Sequence, residues 1–199
     1  MKLSFAVAAA SIAALSGCAS APEQPPELPA APQRITQQGY SLMPFDEHGW
    51  VVGPRDQYRL TLGKYGAHPD ETFAIQGIVS QLPEFNSAEE FLRIVKEGQA
   101  ADTDSERFTI LQHDVVLDTS KNAQCARSHL IAEDRSAVTK TAKADAMILE
   151  AATLTCAHPG DKRVGVHVLY SHWHHEGQSD PAFMEKADQL MRSVEFEDL

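Results

Sequence analysis

The chain has 199 residues, 43% of them hydrophobic, and carries 17 Lys and Arg against 28 Asp and Glu, a formal net charge of −11. This length predicts one globular domain that is large enough to bury a core. The negative charge argues against nucleic acid as a partner, because phosphate binding needs a concentration of Lys and Arg. It also argues against the domain itself lying on anionic lipid.

The first seventeen residues have the pattern of a secretory signal, since Lys2 is followed by an apolar stretch from Leu3 to Leu15. That stretch is shorter than the about 20 apolar residues of a permanent membrane helix. The sequence LSGC, residues 15–18, resembles the lipobox of bacterial lipoprotein signal peptides. In that family the signal is cut before the cysteine and the thiol carries a diacylglycerol. The resemblance implies a signal peptide over residues 1–17 and a lipid on Cys18. The alternative is an ordinary signal followed by a chance cysteine.

The residue after Cys18 bears on the destination of the chain. Ala19 stands where many lipoproteins retained in the inner membrane have aspartate. The resemblance therefore implies a lipid anchor in the outer membrane of a Gram-negative cell, with the domain in the periplasm. A domain facing the cell exterior is the alternative that the sequence leaves open.

A proline-rich tether is predicted over residues 18–38, which contain Pro22, Pro25, Pro26, Pro29 and Pro32. Proline fixes φ and lacks an amide donor, so this segment favours an extended polyproline II conformation. At about 3.1 Å per residue such a spacer reaches about 60 Å. It would hold the domain, predicted over residues 39–199, clear of the lipid surface.

Seven runs have the composition or the alternation of β-strands, and turn-forming residues separate several of them. In the last run, Val164, Val166, Val168 and Tyr170 occupy alternate positions, as expected of a strand with one face in the core. In chain order the runs are GWVVG, YRLTLGKYG, TFAIQGIVSQL, RFTILQHDVVLD, QCARSHLIAED, MILEAATLTC and RVGVHVLYSHW.

Two helices are predicted among these strands. Ser87 with Glu90 three residues later has the spacing of a capping box, and a one-sided apolar stripe follows. The second helix is predicted to begin with Asp180 as N-cap and Pro181 at the first helical position. After it, VEFEDL closes the chain as an extended tail or a short strand.

Two cysteines remain after Cys18, and an oxidising compartment favours a disulfide between Cys125 and Cys156. Their segments both read as strands, and antiparallel pairing about a point near Lys140 places the two cysteines opposite each other. Side chains directly opposite in such a pair are close enough for a bridge. The alternative is two free thiols, one of them a metal ligand or nucleophile.

The order of elements predicts an α+β fold, an antiparallel β-sheet with two main helices packed on it. The segments SAEEFLRIV and MEKADQLMRSVEF resemble the early helix and the closing helix of the PsbP-like fold. The resemblance implies that fold for most of residues 39–199. Proteins of this fold have unrelated roles, so it implies no particular activity.

The stretch YSHWHHEG, residues 170–177, is the main candidate for chemistry. On a strand, His172 and His174 project from one face and can share a zinc or copper ion. His175 could join them if the chain bends there. The alternative interpretation is an exposed polar loop between a strand and a helix cap.

Three classes of function follow from these patterns. The leading expectation is a non-enzymatic outer-membrane lipoprotein whose domain binds an envelope protein, the cell wall or a small ligand. A zinc- or copper-binding lipoprotein built on His172, His174 and His175 is the second. A hydrolase is the third, although the motifs of common hydrolytic and phosphate-binding sites are absent from the sequence.

Overall fold

The computed structural model describes residues 26–29, 32–137, 139 and 146–199. The predicted signal peptide, the lipidation at Cys18 and much of the predicted tether lie outside these residues. The described chain forms ten strands and two helices: β1 (Ile35–Gln37), β2 (Tyr40–Leu42), β3 (Val51–Val52), β4 (Arg59–Tyr65), β5 (Thr72–Gln81), α1 (Ala88–Asp102), β6 (Phe108–Asp118), β7 (Cys125–Asp134), β8 (Met147–His158), β9 (Asp161–His175), α2 (Phe183–Ser193) and β10 (Glu195–Phe196).

The fold is β-rich, and the prediction of a balanced α+β domain is wrong. Strands account for 46% and helices for 16% of the structure. The prediction treated the two helices as a major part of the fold, but α1 and α2 contain only 15 and 11 residues. It also missed β1 and β2, which are three residues each and too short to show alternation.

The strands form two antiparallel sheets. The large sheet has seven strands in the order β3-β4-β5-β9-β8-β7-β6, and the small sheet has the order β1-β2-β10. The longest strand, β9, lies between β5 and β8 and pairs with both along most of its length. Its side chains therefore point alternately to two different faces in the middle of the sheet.

One face of the large sheet is covered by α2 and the small sheet. Val166, Val168 and Tyr170 of β9 point to this face and are at most 1% exposed. They belong to the same core as Leu190 and Met191 of α2. The alternation predicted for residues 164–170 therefore marks the side of β9 that is buried under α2.

A close approach joins the small sheet to the large one. Tyr40 of β2 is fully buried. A Cβ atom on Gly77 of β5 would lie 2.1 Å from the Tyr40 hydroxyl oxygen. Only glycine at position 77 leaves room for the Tyr40 ring. The packing of the small sheet on the large one therefore requires this glycine.

The opposite face of the large sheet is covered in part by α1. Ser87 caps this helix as predicted, because its hydroxyl accepts a hydrogen bond from the Glu90 amide at 3.1 Å. The Glu90 carboxylate in turn accepts one from the Asn86 amide at 2.8 Å. Phe91 and Val95 of α1 are buried in a second core on this face.

The second helix begins later than predicted. Pro181 and Ala182 form a turn, and α2 starts at Phe183. Asp180 still organises the entry, since its carboxylate accepts a hydrogen bond from the Ala182 amide and its carbonyl accepts one from the Phe183 amide.

The disulfide between Cys125 and Cys156 is confirmed. The two residues are direct partners in the antiparallel pairing of β7 and β8, with Cα atoms 4.1 Å apart. Lys140, the predicted centre of this pairing, lies outside the described residues.

Part of the predicted tether packs on the domain. The Leu28 amide donates a hydrogen bond to the Trp50 carbonyl, and the Val52 amide donates one to the Pro26 carbonyl. With β1 at Ile35–Gln37, the folded region therefore starts before residue 39. Among the described residues, no helix combines the length and the apolar character that a membrane span requires.

Candidate metal centre

The histidine-rich stretch lies in a strand rather than in an exposed loop. β9 continues through His175, so the strand on which the metal prediction depends is present and the alternative interpretation of a loop is wrong. His172 is 0% exposed and His174 is 4% exposed. The interpretation of these two residues as surface polar groups is therefore wrong, because β5 and β8 flank them and α2 covers their face.

Glu150 joins the two histidines from the neighbouring strand. It is the direct pairing partner of His172 across β8 and β9. One potential ligand atom from each of Glu150, His172 and His174 lies within 4.8 Å of the other two. The rings of His172 and His174 are 4.5 Å apart between centroids. Two imidazoles and one carboxylate thus converge on the α2 side of the sheet.

The hydrogen bonds of the two imidazoles determine which nitrogen atoms carry a proton. Nε2 of His172 lies 2.9 Å from the Glu71 carboxylate, which as a carboxylate only accepts, so this nitrogen donates. Nδ1 of His174 lies 2.7 Å from the His175 carbonyl oxygen and must also donate. In the neutral rings, Nδ1 of His172 and Nε2 of His174 therefore have free lone pairs.

The lone pair on His172 has no hydrogen-bond partner. Nδ1 of His172 is buried and unpaired among the described residues. Leaving such a polar atom unpaired in a protein interior costs about 1–3 kcal/mol. A metal ion bound at this nitrogen would remove that cost, since imidazole nitrogen is a common ligand of zinc and copper.

Glu71 is held in place by its own surroundings. Burial alone would raise the pKa of Glu71, but hydrogen bonds from the His68 amide and from His172 hold it below its ordinary value. A Cβ atom on Gly66 would lie 2.1 Å from the Glu71 carboxylate, so only glycine at position 66 leaves room for it. The turn between β4 and β5 thus delivers a charged carboxylate to His172.

The arrangement around the three candidate ligands matches the surroundings of known metal ligands. Metal-binding histidines usually donate their other ring nitrogen to a carboxylate or a backbone carbonyl, as His172 and His174 do. Glu150 is itself supported, because its carboxylate lies 2.8 Å from Nε2 of His129. Burial lowers the pKa of His172, against the opposing effect of Glu71, and this favours the neutral ring.

The structure brings together two of the three predicted ligands. His175 has the opposite parity on β9, and its Nε2 lies 3.6 Å from the Asp70 carboxylate. Glu150 takes the third position in the cluster.

Glu71, Glu150 and His129 were not predicted as part of a site. A signal for Glu150 existed, because this residue interrupts an apolar strand at the parity of Cys156. Its position opposite His172 depends on the pairing of β8 with β9, which alternation alone does not specify.

The candidate ligands lie beside a cavity rather than in its wall. A cavity of about 620 Å³ is lined by Glu71 and Phe73, which contact His172. It is not lined by Glu150, His172 or His174. The ring of Phe73 stacks on His172 with centroids 4.1 Å apart and closes that side. The cavity therefore reaches two residues that contact His172 but not the three candidate ligands themselves.

No protein-family model and no curated protein matches this sequence. The resemblances to the lipobox and to the PsbP-like fold therefore stay predictions.

Proposed function

We propose that this chain is a metal-binding module of the cell envelope, and that Glu150, His172 and His174 hold a zinc ion. The observation that carries the proposal is the buried, unpaired Nδ1 of His172 in a cluster of three ligand groups. Both histidines already use their other nitrogen as a donor. The remaining lone pairs are then available to a cation.

Zinc fits this ligand set because it accepts nitrogen and oxygen ligands in tetrahedral sites and is bound elsewhere by two histidines and one glutamate. Copper is the alternative ion, since imidazole nitrogen also suits Cu²⁺ and binds it more tightly in most sites. Three protein ligands leave a fourth position for water or another group.

The proposed location rests on the sequence. The LSGC sequence at residues 15–18 supports a lipid anchor on Cys18 in the outer membrane, and the prolines that follow support a tether. A domain held this way would meet metal ions and envelope partners in the periplasm.

The proposal is tested by metal content. The chain from Ala19 to Leu199 keeps every described residue and omits Cys18, and it is purified without a His tag. After incubation with zinc or copper and removal of free ion, we expect about one metal ion per chain by mass spectrometry. Glu150→Gln and His174→Gln should each lose most of this metal, because each removes one ligand group.

Two matched variants serve as controls. His175→Gln changes the adjacent histidine on the other side of β9, and His48→Gln changes an exposed histidine. Both should retain the metal content of the unchanged chain. Absence of retained metal, or equal loss from His175→Gln and His174→Gln, would contradict the proposal.

A further inference from the structure

A second cavity lies on the opposite face of the large sheet, between the sheet and α1. Its volume is about 910 Å³. From β9 it is lined by the residues of odd number, His167, Leu169, Ser171 and Trp173, whereas the candidate metal ligands have even numbers. This volume is in the range of about 300–1,000 Å³ that holds drug-sized ligands.

The lining combines apolar surface with dispersed hydrogen-bonding groups. Leu149 and Leu169 contribute aliphatic surface, and Trp173 contributes an aromatic ring. Gln76 and Thr153 add an amide and a hydroxyl to the same wall. Such a lining suits a ligand that is mainly apolar and carries a few hydroxyl or carbonyl groups.

The charges around the cavity argue against an anionic ligand. Among the described residues that line it, none is Lys or Arg. Glu97 is ion-paired with Arg93 at 2.8 Å. Asp102 is the other acidic lining residue and is exposed to solvent. Arg107 lies over the rings of two lining residues, Phe108 and Trp173, but is already ion-paired with the buried Asp134. A carboxylate or phosphate in the cavity would therefore meet negative charge and no unpaired Lys or Arg.

His167 lines the cavity with both of its ring nitrogen atoms engaged. Its Nε2 lies 2.8 Å from the Ser80 hydroxyl oxygen, and its Nδ1 lies 3.2 Å from the Thr155 hydroxyl oxygen. Burial lowers its pKa, against the opposing effect of Asp102. Burial thus favours the neutral ring, and both of its nitrogen atoms are already engaged with neighbouring side chains.

The glycine at position 98 of α1 gives separate support for an open cavity. It lies in the interior of α1 and lines the cavity. A Cβ atom built on it would meet nothing within 4 Å, so packing does not require glycine here. Glycine weakens a helix interior, because it loses the most backbone freedom on folding. A large side chain at this position would extend into open space next to the cavity, which glycine leaves empty.

We propose that this cavity binds an uncharged, mainly apolar small molecule with one or a few hydroxyl or carbonyl groups. The ligand lies between α1 and strands β5, β8 and β9, with its apolar body against Leu149, Leu169 and Trp173. This site is separate from the metal centre, since the two lie on opposite faces of the large sheet.

Two fluorescent probes that differ by one charged group test the proposal. N-phenyl-1-naphthylamine is neutral, and 8-anilino-1-naphthalenesulfonate is a close analogue that carries a sulfonate. Titrated into the chain from Ala19 to Leu199, the neutral probe should bind at least about tenfold more tightly, because the lining offers the sulfonate no cation. Equal affinity for the two probes would overturn the proposal.

Variants on α1 locate the bound probe. Gly98→Phe directs a ring into the cavity and should weaken binding of the neutral probe by at least about tenfold. Gly98→Ala is the matched control, since its small side chain leaves the volume almost unchanged and binding should persist. Thermal unfolding of both variants shows that they are folded. Unchanged binding in folded Gly98→Phe would place the probe elsewhere and overturn the proposal.

Energy transfer provides a readout that does not depend on Gly98. Trp173 lines the cavity, whereas Trp50 lies in the core on the other face. Trp173→Phe should remove most of the transfer from protein to bound neutral probe while the probe still binds. Transfer that persists at full strength would contradict this location.

Glu150→Gln, on the other face of the sheet, should leave binding of the neutral probe unchanged. Failure of the metal proposal and failure of the cavity proposal are therefore distinguishable.

Discussion

His172 shows how one side chain can be set up by three elements at once. β9 places it on the α2 side of the sheet, the turn before β5 supplies Glu71 to its Nε2, and β8 places Glu150 opposite it. The result is a buried imidazole with one nitrogen satisfied and the other available. In a purely structural role, both nitrogens of a fully buried histidine would normally be paired.

Glu71→Gln tests the role of the supporting carboxylate. The amide can still accept a hydrogen bond from Nε2 of His172, but it lacks the negative charge that makes the ring a better ligand. We expect metal affinity to fall by about 10–100-fold, with one ion still bound at saturation. Competition with a coloured chelator measures this change.

The control for that variant is Glu185→Gln, which removes the same charge from an exposed position on α2. Its metal affinity should match that of the unchanged chain. If Glu71→Gln binds metal as tightly as the control, Glu71 has no part in ion binding.

Among the elements, β7 and β8 form a hairpin closed by the Cys125–Cys156 disulfide. The bridge joins residues 31 apart in sequence. A double Cys125→Ala/Cys156→Ala variant should lower the free energy of unfolding by about 3–4 kcal/mol, because a loop of this size gains that much freedom in the unfolded chain.

Urea denaturation of the double variant, with and without reductant, checks the expected loss. Reductant should destabilise the unchanged chain by a similar amount and leave the double variant unaffected. A change below about 1 kcal/mol would mean that the hairpin is held by its pairing alone.

The element boundaries show where sequence patterns are informative. Alternation and turn residues located β4 to β9. The two cysteines predicted the register of β7 on β8, because residues equally far in sequence from the centre of an antiparallel pair lie opposite each other. α2 was placed two residues early, since Asp180 and the turn at Pro181 and Ala182 resemble a helix start. The weight of the helices was overestimated, and the fold class was therefore wrong.

The candidate site was predictable only in part. The spacing of His172 and His174 placed them on one face, and their rings are neighbours. The sequence did not show that Glu150, rather than His175, is the third group in the cluster, because this depends on how β8 pairs with β9. Glu71 was hidden for a similar reason, since its contact with His172 spans 101 residues of sequence.

At the scale of the whole molecule, acidic conditions should weaken the fold through two buried aspartates. Asp134 pairs with Arg107, and Asp118 pairs with Arg127. Burial alone would raise the pKa of each carboxyl, but hydrogen bonds hold both below the ordinary value. For Asp134 they come from Arg107 and the Ser136 amide, and for Asp118 from Ser120 and Arg127.

A lowered pKa in the folded state means that the unfolded chain takes up protons first. The stabilisation is complete above the unfolded value of about 3.9 and is lost as pH falls through the folded value. Urea denaturation between about pH 7 and pH 2 should show stability falling over the acid range.

Asp134→Asn isolates one of these contributions. It should cost about 2–4 kcal/mol at pH 7, because Arg107 loses a carboxylate that is fully buried. It should also flatten the acid limb of the stability curve. Asp114→Asn, at an exposed position on β6, is the matched control and should keep the slope of the unchanged chain. Equal slopes in the two variants would contradict this assignment.

The two faces of β9 also constrain how this protein can change over generations. Substitutions at odd and even positions alter one face at a time, so the cavity and the candidate ligands can diverge independently. A one-residue insertion or deletion between His167 and His172 would instead turn the following side chains through the sheet, burying Trp173 and exposing His172 and His174 to the other side. Descendants of this chain should therefore tolerate many replacements in this strand but almost no change in its length.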